Sequence, residues 1–260
     1  MRIALTRGIS PAITRCELTH LLRVPIDLAL ARAQHAEYEK CLEEAGCRVI
    51  QLVAGADMPD CVFIEDIAIV LPETAIVARP GAASRRAETP AVAEALRPYR
   101  PLAQIEAPGT MDGGDVLVAG RRMYVGISRR TNPEGAGQLR AILAPYGYLV
   151  QEIEVRGCLH LKSAVTLVGE NLLLINPAWL PREPFSSFER IEVDPREPSA
   201  ANAALAGSQV ICAAAFPRTR ERLQARGLAV RSVDLSELAK AEGALTCCSL
   251  IFDSAGSSAI

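Results

Sequence analysis

The stretch Asp112–Ser128, DGGDVLVAGRRMYVGIS, holds a plan that recurs along the chain: a polar cluster, an apolar run, a turn at Gly120, and a second apolar run. Four other segments follow it. Glu65-Asp66 precede IAIVLPETAIVARPG, and His160-Leu161-Lys162-Ser163 precede AVTLVGENLLLIN. Asn202 precedes AALAGSQVICAAAF, and Cys247-Cys248 precede SLIF. With positions 66, 112, 160, 202 and 247 as markers, the units repeat at intervals of roughly 42 to 48 residues, within the range of stacked or radial repeat folds. Short Val/Ile-rich runs bounded by Gly and Pro read as strands.

Working outward, helical stretches follow the second strand in four units: Arg85–Tyr99, Pro133–Tyr146, Thr219–Arg226 and, near the start, Pro25–Ala45. The third unit carries the proline-rich PAWLPREPFSS where a helix should stand. A further strand then ends each unit: PLAQIEA, YLVQEIEV, FERIEV, LAVRSVDL and CRVIQLV. The fifth unit has only one strand, CSLIF, at the C-terminus; RIALTRG and CRVIQLV at the N-terminus complete it. Pairing the two chain ends would remove open sheet edges, which favours a ring. The expectation is one α/β domain over residues 1–260, five strand-rich units around an axis. An ordinary α/β sandwich is the competing arrangement. In a ring, the markers converge near the axis, and that is where a site belongs.

Composition narrows the function classes. Half of the 260 residues are apolar and the net charge is −2, so no basic stripe points to nucleic acid. No apolar run approaches the roughly 18–20 residues that span a bilayer. Met1–Ser10 lacks the apolar core of a secretory signal, so a cytoplasmic location with its eight cysteines reduced is expected. No G-x-G-x-x-G follows a strand, no P-loop is present, and no histidine and cysteine set has zinc-ligand spacing.

Cys247, in LTCCSLIF, has two readings: a small buried hydrophobe, or a nucleophile. His160 favours the second, because an imidazole beside a thiol can populate the thiolate and later protonate a leaving amine. The other histidines, His20 and His35, are expected to be solvated. PDCVFIEDIA sets Asp60, Glu65 and Asp66 about an apolar core, with Asp60 and Asp66 on one face if the segment is a strand. Such acids commonly mark a solvated edge; at a marker position they also suit a planar guanidinium. Asp112 either orients His160 or belongs to a glycine-rich turn. The pairs Arg85-Arg86 and Arg129-Arg130 are either surface residues or two arms closing on one anion, and neither pair reveals which member would bind.

Together PDCVFIEDIAIV, RPGAASRR, DGGDVL, VGISRRTN, CLHLKSA and LTCCS, in this order over residues 60–249, resemble the dimethylarginine dimethylaminohydrolase family of the guanidino-modifying, or pentein, superfamily. The resemblance implies a five-bladed α/β-propeller of ββαβ units whose last blade is closed by the N- and C-terminal strands. It implies hydrolysis of asymmetric dimethylarginine or monomethylarginine to citrulline and an amine through a thiouronium on Cys247. His160 becomes the general acid/base and Asp112 its partner. Asp60, Glu65 and Asp66 become guanidinium contacts, Arg85 and Arg130 α-carboxylate contacts, and the carbonyls of Leu18 and Ala241 α-amino contacts. No metal or other cofactor is required, although Cys247 and His160 could trap inhibitory zinc. The expected ligand is a small molecule, without nucleic acid or membrane, and a homodimer is compatible with the sequence. Cys248 after the nucleophile matches the animal-type hydrolases rather than the deiminases, which usually carry Met there. Arginine deiminase-like or amidinotransferase chemistry is the nearest alternative, and a non-catalytic propeller that binds a partner is the alternative of a different class.

Overall fold

The computed structural model describes residues 1–254. Its strands form five three-stranded sheets. The first joins β1 (Arg2–Arg7), β2 (Arg48–Leu52) and, from the far end of the chain, β15 (Leu250–Asp253). The others take their strands in sequence. They are β3 (Ala68–Val70), β4 (Ala75–Val77) and β5 (Leu102–Gln104), then β6 (Val116–Ala119), β7 (Arg122–Ile127) and β8 (Leu149–Glu154). After these come β9 (Val165–Gly169), β10 (Leu172–Ile175) and β11 (Glu189–Glu192), and finally β12 (Ala204–Ala206), β13 (Gln209–Ala213) and β14 (Ala229–Val233).

Every sheet has the same wiring. Its first two strands pair antiparallel, as β6 does with β7, and the third returns parallel to the second, as β8 does. A tight turn serves the first link, with Gly120 and Gly207 at positive φ at two of the tips, where a side chain would strain the backbone. The parallel link needs a crossover, which a helix supplies. The closing sheet obeys this plan across the chain ends: β15 lies antiparallel to β1 with Leu5 opposite Leu250, and β2 lies parallel to β1. Thus the five-bladed α/β-propeller replaces the sandwich alternative.

The crossover helices are α1 (Leu28–Glu44), α2 (Thr89–Leu96), α3 (Pro133–Leu143) and α5 (Pro217–Ala225), with the single turn α4 (Leu161–Ala164) at a marker position. Asp27 caps α1 by accepting from the amides of Ala29 and Leu30, and Asn132 caps α3, whose first residue is Pro133. Residues 85–88, expected to be α-helical, instead belong to a 3₁₀ turn, Ala83–Glu88, that leads into α2. The proline-rich linker of the third unit forms only the 3₁₀ turn Glu183–Phe185, since proline removes the donors a longer helix needs. Along α1, Ala31, His35, Tyr38 and Leu42 form the buried stripe, each large apolar member contributing about 2 kcal/mol. His35 is therefore not solvated as expected: helical spacing carries it into the core with Tyr38, its Nδ1 3.7 Å from Glu39. No helix among the described residues is long and apolar enough to cross a membrane.

The antiparallel first strands line the axis: β15 meets β3, β6 meets β9, and β9 meets β12. Each starts beside a marker, so all five markers gather at one end of the ring.

Candidate active site

The markers occupy short turns that open the inner strands: Ile64–Ile67, Gly113–Asp115, α4 with His160 as its cap, the residues before β12, and Thr246–Cys248. Hydrogen bonds join these turns into a circle. Asp66 Oδ1 accepts from the Gly114 amide at 3.1 Å, and Asp115 Oδ1 accepts from the Leu161 amide at 2.9 Å. Asn202 donates to the Lys162 carbonyl at 3.0 Å and to the Thr246 hydroxyl at 2.9 Å, while its Oδ1 accepts from the Thr246 amide. The Thr246 hydroxyl donates to Glu65 at 2.7 Å, which returns the circle to its start. Asn202, noticed in the sequence only as a marker, is thus the clamp between two blades.

Within this circle Asp112 is fully buried and bridges two elements. Its Oδ1 accepts from the Gly81 amide at 2.9 Å, and its Oδ2 stands 3.1 Å from His160 Nε2. His160 Nδ1 lies 3.8 Å from Asp66 Oδ1. The glycines of DGGD are explained by this crowding. A Cβ on Gly113 would fall 2.0 Å from the Glu65 carbonyl, and one on Gly114 would fall 2.7 Å from both Asp66 Oδ1 and His160 Nδ1. Gly114→Ala is accordingly expected to destabilise the fold by about 1–3 kcal/mol, read by urea unfolding, because neither neighbour has room to retreat. A variant as stable as the parent would contradict that packing.

Cys247, His160, Asp60, Asp66, Arg85, Arg130 and Ala241 line one narrow cleft of about 340 Å³. Its electrostatics are uneven. Burial pulls the His160 imidazole down, but Asp66, Asp115 and Asp112 outweigh it and carry the group up to about 9, so the ring is an imidazolium at neutral pH. Burial, then Glu65 and Asp66, pushes the Cys247 thiol far up, so it is neutral while the cleft is empty. Burial raises Asp60 to about 6 despite Arg85. Asp66 is also penalised by burial, yet His160 and Arg85 hold it below the ordinary carboxylate range. A thiol, an acid and paired carboxylates in one cleft can bind a planar cation, add sulfur to its carbon and protonate a departing nitrogen.

The remaining residues are distributed less simply. Asp60 and Asp66 do share the cleft, but not by strand alternation; residue 60 sits in a turn and residue 66 in a 3₁₀ turn, the segment being too tightly bent for a strand. Glu65 does not line the cleft. Its carboxylate is bound by Lys162 at 2.5 Å and by Thr246, and it faces a separate cavity between the inner strands. Of the arginine pairs, burial selects one member each. Arg85 is buried, whereas Arg86 bonds the Pro80 carbonyl; Arg130 reaches the cleft and Arg129 is exposed. Arg85 is largely engaged by protein: Nε and Nη2 bond Glu88 and the carbonyls of Asp60 and Phe63, and Nη1 bonds Asp66, which leaves one Nη1 hydrogen for a ligand. Leu18 is half-buried between Glu17, whose amide donates to Asp60, and Thr19, whose hydroxyl accepts from Arg130 at 3.3 Å. Lys162 and Glu242 had no role in the sequence reading. Lys162 was visible two residues beyond His160, but nothing local flagged Glu242.

Among the described residues one group of side chains could hold a metal ion, Asp66, Asp112 and His160, and it does not include Cys247. Its oxygens already serve Arg85, Gly81 and Gly114.

The family model for the eukaryotic N,N dimethylarginine dimethylhydrolases matches residues 22–194. An N(G),N(G)-dimethylarginine dimethylaminohydrolase of Streptomyces coelicolor is 39% identical over 249 residues, covering 95% of each chain. One of Pseudomonas aeruginosa is 37% identical over 228 residues, 87% of this chain and 90% of the relative. A cysteine-to-serine variant of the Pseudomonas aeruginosa enzyme, solved with citrulline, superposes with a TM-score of 0.92 at 35% identity, over 96% of this chain and 98% of that one. The N-terminal domain of a cyanobacterial arginine dihydrolase shares the fold, with a TM-score of 0.84 at 19% identity over 96% of this chain and 98% of that one.

Proposed function

Because this chain belongs to the dimethylarginine dimethylaminohydrolase family, we propose that it uses Cys247, His160 and Asp112 to hydrolyse Nω-methylated arginines to citrulline and a methylamine. The observation that carries the residue assignment is the meeting of Cys247, His160, Asp60 and Asp66, remote in sequence, in a single cleft.

Asp60 and Asp66 hold the substrate guanidinium, and Glu65 adds negative potential from behind them. Arg130, with the remaining donor of Arg85, receives the α-carboxylate; the carbonyls of Leu18 and Ala241 receive the α-ammonium. The bound guanidinium brings a positive charge to the thiol, offsetting the burial and the carboxylates that keep it protonated. Since His160 is already protonated, the thiol gives up its proton to solvent, and the thiolate adds to the central carbon. With Nε2 committed to Asp112, His160 Nδ1 is the nitrogen left to protonate the departing amine. Sulfur then carries a thiouronium, and a related enzyme has been solved as an adduct with S-methyl-L-thiocitrulline. Neutral His160 next takes a proton from water, which adds to the same carbon; breaking the C–S bond frees citrulline and returns the thiol. Two modest barriers replace one high one, since guanidinium resonance makes direct attack by water slow.

Every step is met by side chains and water, so no cofactor is required. Supplied with asymmetric dimethylarginine, the protein is expected to release citrulline and dimethylamine in equal amounts. Ammonia in place of dimethylamine would instead indicate a deiminase, and no turnover of any methylarginine would overturn the reading.

A further inference from the structure

Glu242 stands out on two independent grounds. Among the described residues it is the one other than glycine with positive φ, +59°, a conformation that side-chain-bearing residues adopt at a cost. Its carboxylate accepts from three consecutive backbone amides of a distant segment: Thr19 at 2.9 and 3.0 Å, His20, and Leu21 at 2.6 Å. A glycine would satisfy the backbone at 242 without strain, so the side chain is what the strained position supplies.

The segment so held is the one that carries Leu18. Asp60 grips it on one side through the Glu17 amide at 3.1 and 3.2 Å, and Glu242 grips it on the other. At its far end the segment is exposed and apolar, with Leu22 89% and Leu21 50% accessible, so over His20 and Leu21 the Glu242 carboxylate is the main tether, while Asp60 and Arg130 hold Glu17 and Thr19. On its own side Glu242 follows Ala241 and shortly precedes Cys247, and it lines the cleft beside both. Its neighbour Gly243 packs so closely on Phe63 that a Cβ there would fall 2.2 Å from the ring.

We propose that Glu242 is a positioning residue for substrate recognition: it latches the Glu17–Leu21 segment over the cleft and so brings the Leu18 and Ala241 carbonyls to bear together on the substrate's α-ammonium. This rests on the substrate assignment above. Binding energy at the α-amino end then depends on the latch, while addition at the guanidinium carbon does not. The residue thereby sets preference for α-amino acids over guanidines that lack the amino group.

The decisive variant is Glu242→Gly, which removes the latch and relieves the backbone. Relief of the backbone offsets part of the stability lost with the hydrogen bonds, and Glu242→Gln is measured beside it so that a folding defect in one does not end the test. In the absence of substrate, amide hydrogen exchange in the peptide covering Glu17–Leu22 is expected to accelerate about tenfold or more in Glu242→Gly, since three charge-assisted hydrogen bonds are lost. With monomethylarginine, KM is expected to rise about tenfold with little change in kcat, the mark of lost uniform binding. The preference for monomethylarginine over its des-amino analogue should shrink by a similar factor. Unchanged exchange in both variants, or a fall in kcat at unchanged KM, would overturn the proposal. The exchange arm needs no catalysis, so failure of the parent to turn over methylarginines would discredit the substrate assignment and leave the latch itself separately judged.

Discussion

Replacing Cys247 with serine is expected to lower turnover by about 10⁴-fold or more, because loss of one member of a nucleophilic unit removes the covalent route as a whole. The size of the effect follows from how poorly the site ionises even its thiol. Burial, Glu65 and Asp66 oppose a negative charge on Cys247 and outweigh the Ala244 backbone and Lys162, so the arriving guanidinium is needed to reverse that field. A hydroxyl is far less acidic than a thiol and would need more help than one bound cation offers. Quenching the parent protein during turnover and measuring peptide masses should place a substrate-derived adduct on Cys247 and none on the serine variant. Cys248 is no substitute: it is fully buried, its sulfur 3.4 Å from the Ala244 carbonyl. An adduct on Cys248 or Cys158, or a serine variant within tenfold of the parent, would remove Cys247 from the mechanism.

His160→Gln should be the next most damaging change, lowering turnover by about 10²–10⁴-fold, the usual worth of a positioned general acid and base. It also carries a signature in stability that a bystander would lack. The imidazole is raised from 6.5 to about 9 on folding, since Asp66, Asp115 and Asp112 outweigh the effect of burial. A raised cationic group stabilises the fold fully below its unfolded pKa, and that contribution is lost as pH rises through the folded one. The parent should therefore lose stability relative to His160→Gln between about pH 6 and pH 10, where the glutamine has nothing to titrate. Urea unfolding of both proteins at the two pH values measures the gap. A gap that widened in favour of the parent as pH rose would mean that His160 is neutral in the folded protein.

The blade plan was legible because each unit repeats a local pattern whose physics is local. Alternating turn residues and Val/Ile runs dictate short strands, and Asp27 and Asn132 mark helix starts by satisfying orphan amides. Closure by β15 and β1 was also legible, as an incomplete last unit facing a surplus strand at the start. The condition under which Asp60 and Asp66 were expected to share a face, a strand over the segment, is not met, because contacts with neighbouring blades fold residues 64–67 into a 3₁₀ turn. His35 was misplaced because polarity was weighed without the stripe it shares with Tyr38 and Leu42.

What the chain alone determined was the repeat, its period and the residue types brought to the axis, since these follow from spacing and side-chain chemistry. Only the tertiary structure decided which acids line the cleft and which are turned away from it. Glu65 and Asp66 are adjacent, yet one is bound to Lys162 and the other stands in the cleft beside His160. Only the tertiary structure, too, revealed Glu242, whose three partners lie more than 200 residues away. Hydrogen bonds require contact and fields weaken with distance through space, and that distance is set by the closure of the ring, not by separation along the chain.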